Sequence, residues 1–195
     1  MRARAVGAPP GFLYAPDAID ESEEAALLAR FDPLAFEEVR MRGAIARRRV
    51  LHFGFRYAYE SGALAAGDPI PEWLGPLRER AAALAGVAPG ALGEVLVTRY
   101  PPGAGIGWHR DAPAFERVVG VSLRAACVMR LRRERDGVRE EHRALLAPRS
   151  AYVLSGAARW HWQHHVPPIA ETRYSITFRT LRAHVTGTPR GAARG

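Results

Sequence analysis

From Val95 to Leu181, apolar and polar residues alternate in short runs, and glycine or proline interrupts several of the gaps. Alternation with a period of two over a few residues is typical of half-buried β-strands. The pattern predicts six strands, Val95–Tyr100, Val118–Arg124, Cys127–Arg133, His142–Ala147, Ala151–Leu154 and Tyr174–Leu181. Arg135-Asp136-Gly137 predicts a hairpin turn between two of them. Such a series of short strands indicates an all-β sandwich or barrel.

The first part of the chain carries helical periodicity at two places. Asp17 or Asp20 can cap a helix with an acidic first turn that runs to Arg30. Pro71 opens a second predicted helix, which ends near Gly86. The pattern therefore predicts a mostly β protein with flanking helices.

Between these helices, residues 35–60 read as strands joined by a basic loop. Five arginines fall within ten positions around Gly43-Ala44, namely Arg40, Arg42, Arg47, Arg48 and Arg49. One interpretation is a solvated hairpin tip, and the other is a loop that contacts phosphate groups. Upstream of the first helix, Phe12, Leu13 and Tyr14 suggest a short docking strand.

The length of 195 residues predicts one domain, 1–184, with helices and cover strands in 1–90, the β core in 91–184 and a disordered tail at 185–195. The single cysteine, Cys127, allows no intrachain disulfide, and its apolar surroundings indicate a buried thiol. No apolar run is long enough to span a membrane, and no signal peptide is evident. We therefore expect a cytoplasmic, monomeric protein.

Positive charge is distributed unevenly along the chain. The net charge is +8, and all 28 cationic residues are arginine. Residues 1–90 hold 11 Arg against 12 acidic residues, whereas residues 91–195 hold 17 Arg against 8. The excess in the second half would attract a polyanion.

Candidate metal chemistry lies in that same half. His109 and Asp111 are two residues apart, so on an extended strand both side chains point to one side. Three downstream histidines are candidates for a third ligand, namely His161, His164 and His165. Two imidazoles and one carboxylate are the facial ligand set of non-haem iron(II) oxygenases.

Four segments in order resemble the AlkB-type iron(II)/2-oxoglutarate dioxygenases. They are Arg99–Asp111, Val121–Leu123, the Arg-x-x-Trp-x-His region Gly156–Pro167, and Arg173–Arg179. The resemblance implies a double-stranded β-helix (jelly roll) core. It also implies that His109, Asp111 and His164 bind Fe(II), because the family pattern counted from Arg159 selects His164 over His165. His165 is then expected to form part of the pocket wall or to support the ligands.

The same resemblance assigns the co-substrate. A guanidinium can hold the far carboxylate of 2-oxoglutarate with two hydrogen bonds, and Arg173 matches the family residue that does so. Tyr100 is expected to donate its hydroxyl, and Arg179 to serve the carboxylate nearer the metal. Ser175 stands where the family often has asparagine, and so does Thr98.

The resemblance implies an enzyme that couples dioxygen and 2-oxoglutarate to hydroxylation of a C–H bond, releasing succinate and carbon dioxide. On an N-methyl group the product would collapse to formaldehyde. Alkylated single-stranded DNA or RNA is the favoured substrate, in the manner of DNA repair by demethylation. The candidate contacts are Arg47, Arg48, Arg49, Trp108, Arg110 and Trp162. A protein or small-molecule substrate is the alternative, and a non-catalytic metal-binding sensor or scaffold is a further one.

Overall fold

The computed structural model describes residues 4–41, 44–58 and 63–182. The predicted tail and the centre of the predicted basic loop at 42–43 lie outside these ranges. The strands in the described ranges are β1 (Arg4–Ala5), β2 (Phe12–Ala15), β3 (Glu37–Met41), β4 (Ala44–Ala58), β5 (Ala63–Ala66), β6 (Leu92–Tyr100), β7 (Ile106–His109), β8 (Phe115–Leu123), β9 (Cys127–Arg135), β10 (Val138–Leu146), β11 (Ala151–Leu154), β12 (Gln163–Val166) and β13 (Arg173–Leu181). The helices are α1 (Glu21–Phe31), α2 (Gly75–Ala85) and α3 (Gly156–Trp160), with 3-10 turns at Glu72–Leu74 and Pro89–Ala91.

The strands form two sheets that pack face to face. The smaller sheet has the order β1-β10-β9-β12-β7, and the larger has the order β2-β11-β8-β13-β6-β4-β3, with β5 paired to β4. Apart from the parallel contact of β1 with β10, the pairings are antiparallel. This arrangement confirms the predicted jelly roll with flanking helices.

Two apolar layers hold the sheets and helices together. Helices α1 and α2 cover the outer face of the larger sheet, where Phe31 and Leu77 pack with Val95, Ile176 and Phe178. The second layer lies between the sheets and includes Met129, Leu131, Leu146, Leu154 and Trp162. Because side chains alternate along a strand, the β13 residues that do not face the helices point between the sheets. These are Arg173, Ser175, Thr177 and Arg179.

Most local predictions in the first 90 residues are confirmed. Asp20 caps α1, its side chain accepting from the Glu23 backbone N–H at 2.8 Å while the Glu23 carboxylate accepts from the Asp20 N–H. The second predicted helix is divided, because a 3-10 turn precedes α2 and places Pro76 in the first helical turn. There its missing N–H costs nothing, because the N–H groups of the first turn have no partner within the helix.

The prediction that Arg47, Arg48 and Arg49 occupy a loop is wrong. All three lie in β4, a strand of 15 residues that pairs with β3 on one side and β6 on the other. The turn after β9 is confirmed: Asp136 and Gly137 both have positive φ, 52° and 72°, as a two-residue hairpin turn requires.

Candidate metal centre and co-substrate pocket

The three predicted iron ligands come together where β7 and β12 pair. His109 and His164 lie directly opposite each other in the antiparallel register, and their ring centroids are 4.1 Å apart. Asp111 follows β7 and is buried, with its Oδ2 atom 3.7 Å from Nε2 of His164. One short strand pair therefore gathers ligands that are 55 residues apart in sequence.

The donor atoms suit an iron(II) ion. The Nδ1 atom of His109 is hydrogen-bonded to the carbonyl of Gly107 at 2.8 Å, which leaves its Nε2 atom available. Oδ2 of Asp111 is buried and has no hydrogen-bond partner among the described residues. The chemistry of this donor set fits an iron(II) ion, and we propose that His109, Asp111 and His164 would hold it.

The protonation states also fit a cation. Burial lowers the pKa of His109 and lowers the pKa of His164 to about 3. Burial alone would raise the pKa of Asp111, but Arg179 and the two histidines hold it well below its usual range. At neutral pH the cluster is thus two neutral imidazoles and one carboxylate, the forms that bind metal.

The segment that carries Asp111 is fixed by Arg159. This side chain is buried, and its Nη2 atom donates to the carbonyls of Asp111, Ala112 and Phe115 at 3.1, 2.7 and 2.8 Å. An irregular buried segment needs such partners for its carbonyl groups. In the sequence, Arg159 was recognised only as the first residue of the pattern that selects His164. Its anchoring role was not predicted.

The predicted co-substrate residues lie on the inner face of the larger sheet. Arg173 is buried, donates from Nε to the Ser122 hydroxyl at 3.1 Å, and has its guanidinium 5.3 Å from the ring centroid of Tyr100. Ser175 is buried directly between Thr98 of β6 and Ser122 of β8 in the register. These groups form a polar row suited to a dicarboxylate, and we propose that Arg173, Tyr100 and Ser175 bind 2-oxoglutarate.

Arg179 occupies the metal side of this row. Its Nε atom donates to Oδ1 of Asp111 at 2.8 Å, and its Nη1 atom donates to both oxygens of Glu94 at 2.9 and 2.7 Å. Glu94 is almost fully buried. The expected contact of Arg179 with a 2-oxoglutarate carboxylate stays a prediction, and the structure adds that Arg179 orients the metal carboxylate. Glu94 was missed because its partner is 85 residues away.

Of the predicted substrate residues, the two tryptophans are not placed as expected. Trp162 is buried in the layer between the sheets, with the Arg133 guanidinium 4.9 Å from its ring centroid. Trp108 follows the strand alternation and faces away from His109; its ring centroid lies 5.0 Å from that of His165 and 4.1 Å from the Arg132 guanidinium. Both therefore have packing roles.

His165 is also corrected by the structure. It lies on the outer face of the smaller sheet with Trp108, opposite to His164, and its Nδ1 atom contacts the carbonyl of Ile106 at 2.7 Å. His165 therefore forms no part of the pocket wall.

The four predicted arginine contacts lie in different surroundings. The Arg47 guanidinium lies 3.1 Å from where a side-chain carbon on Gly103 would stand. The positive charge of Arg48 is near enough to contribute to the lowered pKa of His109. Arg49 is held by Glu38 and by the carbonyl of Ala46. Arg110 is exposed and borders a cleft of about 260 Å³ that Arg132, Arg133 and Arg139 also line.

Comparison with known proteins identifies the class. Residues 15–183 match the model of the 2OG-Fe(II) oxygenase superfamily, and the chain belongs to this family. This family consists of iron(II)- and 2-oxoglutarate-dependent oxygenases, and the chain is AlkB-like within it. Within the described residues, no helix is long and apolar enough to cross a membrane.

The curated relatives are larger proteins. The chain is 28% identical, over 90% of its length, to the Arabidopsis thaliana alkylated DNA repair protein ALKBH8 homolog, and covers 59% of that protein. It is 30% identical, over 82% of its length, to the Mus musculus tRNA (carboxymethyluridine(34)-5-O)-methyltransferase ALKBH8, and covers 24% of it. The chain is 33% identical, over 57% of its length, to the Danio rerio probable RNA/DNA demethylase ALKBH6, and covers 45% of that protein.

Solved structures agree on the fold. OsALKBH1 superposes with a TM-score of 0.66 at 16% identity, covering 90% of this chain and 99% of that one. A 2OG-Fe(II) oxygenase family protein from Burkholderia pseudomallei gives 0.61 at 20% identity, covering 93% and 89%. At these identities the likeness concerns the jelly roll alone.

Proposed function

We propose that this dioxygenase removes an N-alkyl group from a base of single-stranded nucleic acid, as DNA or RNA, by hydroxylating the alkyl carbon. When the alkyl group is methyl, the hydroxylated carbon would leave as formaldehyde. Dioxygen would supply one oxygen atom to the hydroxyl group and one to the succinate that forms, with carbon dioxide, from 2-oxoglutarate. The observation that carries the proposal is the combination of the His109–Asp111–His164 centre with arginines of β4 beside it.

In this proposal dioxygen is the oxidant and a bound iron(II) ion would activate it, while the chain supplies binding, orientation and exclusion of water. His109, Asp111 and His164 hold the ion on one face. Arg173 fixes the far carboxylate of 2-oxoglutarate, while Arg179 keeps Asp111 ionised and oriented.

The distribution of charge supports a polyanionic substrate. On β4, the Arg47 guanidinium lies next to Gly103, and the charge of Arg48 acts on His109. Arg110, next in sequence to His109, borders the arginine-lined cleft. Cations near a reaction centre raise the local concentration of an anionic substrate.

The names of the relatives support the same substrate class. Their descriptions mention alkylated DNA repair, a tRNA methyltransferase and an RNA/DNA demethylase. Because the chain covers only 24–59% of these proteins, their activities enter here as support for a nucleic-acid substrate and for no particular base.

The test is a panel of methylated single-stranded DNA and RNA oligonucleotides assayed for formaldehyde with iron(II) and 2-oxoglutarate. We expect release from at least one oligonucleotide. The Arg47→Ala/Arg48→Ala/Arg49→Ala variant should weaken oligonucleotide binding and flatten its log–log salt dependence by about one to two phosphate contacts, at about 0.7 per contact.

Two controls make this test specific. The triple variant should keep substrate-free 2-oxoglutarate turnover, and Arg30→Ala on α1 should leave oligonucleotide binding unchanged. If no oligonucleotide binds or yields formaldehyde near physiological salt, the nucleic-acid proposal is refuted. The protein or small-molecule alternative then takes its place, provided that 2-oxoglutarate turnover persists; without turnover, the non-catalytic alternative does.

A further inference from the structure

Tyr152 is a half-buried phenol that no motif of the family accounts for. It lies on β11 and faces between the sheets, whereas its neighbours Ala151 and Val153 pack toward the helices. Its ring stacks on Phe12, with centroids 6.5 Å apart and planes inclined by 19°. The side chain therefore points to the same inner face as the co-substrate residues.

Gly120 shows the direction in which the ring extends. In the register, Tyr152 is opposite Gly120 of β8, and Gly120 is opposite Thr177 of β13. A side-chain carbon on Gly120 would lie 2.4 Å from two ring carbons of Tyr152 and 2.6 Å from its hydroxyl oxygen. The tip of the ring thus lies across β8 and approaches the β13 side chains that face between the sheets. Arg173 and Arg179 stand at the two ends of that row.

The hydroxyl has no hydrogen-bond partner among the described residues. Burial raises the pKa of Tyr152 above its ordinary value, the Asp111 carboxylate raises it further, and the charges of Arg173 and Arg179 partly offset this. The phenol therefore keeps its proton at neutral pH and can donate a hydrogen bond. A protonated hydroxyl within the electrostatic influence of two arginines suits a carboxylate.

We propose that Tyr152 is a further co-substrate-binding residue, whose hydroxyl donates to a carboxylate oxygen of 2-oxoglutarate. Because Gly120 has no side chain, the Tyr152 ring can extend over it into the pocket. This inference rests on the assignment of Arg173 to the same pocket, and it is independent of the nucleic-acid substrate.

The test is calorimetric titration of the manganese(II)-loaded protein with 2-oxoglutarate, which needs no turnover. Tyr152→Phe keeps the ring and removes the donor, so the Kd should rise about tenfold or more, as expected for a hydrogen bond to a charged group. The thermal unfolding temperature should change little because the stacking on Phe12 remains. Gly120→Ala should also raise the Kd, because its methyl group displaces the ring.

Tyr14→Phe is the matched control. Tyr14 is the β2 neighbour of Tyr152 in the register, and its hydroxyl accepts from the Ala147 backbone N–H away from the pocket. The Kd of the Tyr14→Phe variant for 2-oxoglutarate should equal that of the wild type. A Kd for Tyr152→Phe within twofold of the wild-type value would overturn the inference. If neither Tyr152→Phe nor Arg173→Lys changes the Kd for 2-oxoglutarate, the assignment of the pocket itself is wrong. If Arg173→Lys raises the Kd and Tyr152→Phe does not, the pocket is correct and only the role of Tyr152 is wrong.

Discussion

Removing Glu94 should show how much the free energy of unfolding depends on the buried ion pair next to Asp111. Glu94 is 2% exposed and accepts two hydrogen bonds from Arg179, which also donates to Asp111. Removing one partner of a buried pair costs about 3–5 kcal/mol, because the other charge is left uncompensated. We expect Glu94→Ala to lower the free energy of unfolding by about 3 kcal/mol, since Asp111 still compensates Arg179.

Arg179→Ala should cost more, about 5 kcal/mol, because it leaves two carboxylates without their shared cation. The double variant should then be destabilised by less than the sum of the single changes, with a coupling of about 1–3 kcal/mol. The assay is denaturant unfolding of the metal-free proteins followed by circular dichroism.

The exposed pair Glu37–Arg56 is the control for this cycle. Both of its side chains are about half exposed, so Glu37→Ala should cost no more than about 1 kcal/mol. Additivity of Glu94→Ala and Arg179→Ala within about 0.5 kcal/mol would refute the argument, because it would mean that the two charges do not compensate each other.

Three further predictions follow from the site. First, the pKa of His164 in the folded protein is about 3, against 6.5 for an unperturbed histidine. The stability that neutral His164 contributes is therefore complete above about pH 6.5 and declines as the pH falls toward 3. In the metal-free protein this histidine should account for a loss of about 2 kcal/mol of unfolding free energy at pH 5 relative to pH 8, and His164→Gln should remove that part of the acid loss. Second, Arg173→Lys should raise the KM for 2-oxoglutarate about tenfold to a hundredfold with a smaller change in kcat, because the two-pronged contact is lost; an unchanged KM would move this role elsewhere. Third, Arg159→Met should destabilise the protein by at least about 3 kcal/mol in thermal or denaturant unfolding, because three buried carbonyls lose their donor; a loss below about 1 kcal/mol would contradict the anchoring role.

The strand pattern predicted the larger elements because they alternate over many residues. Each of the six predicted strands corresponds to an observed strand, with ends shifted by at most four residues. β7 and β12 were not predicted as strands, since four residues each, with glycine in one and polar residues in the other, carry little periodicity. The candidate ligands that they position were assigned through the resemblance to the AlkB-type family.

The errors arose where tertiary packing decides the outcome. A run of arginines suggested a loop around Arg47, but pairing with β3 and β6 keeps it in a long strand. Trp162 was a candidate substrate contact, yet β12 begins only at Gln163 and the indole fills the core. Glu94 and Tyr152 could not be found locally, because their partners lie on strands distant in sequence.

We propose above all that His109, Asp111 and His164 together hold the iron of a 2-oxoglutarate dioxygenase. Succinate formation from 2-oxoglutarate, measured with iron(II) in the wild type, His164→Ala and His165→Ala, tests it most directly. Because His165 packs on Trp108 outside the pocket, His165→Ala should retain much of the wild-type rate. His164→Ala, still folded by circular dichroism, should form no iron-dependent succinate. Wild-type succinate formation in His164→Ala would contradict the claim.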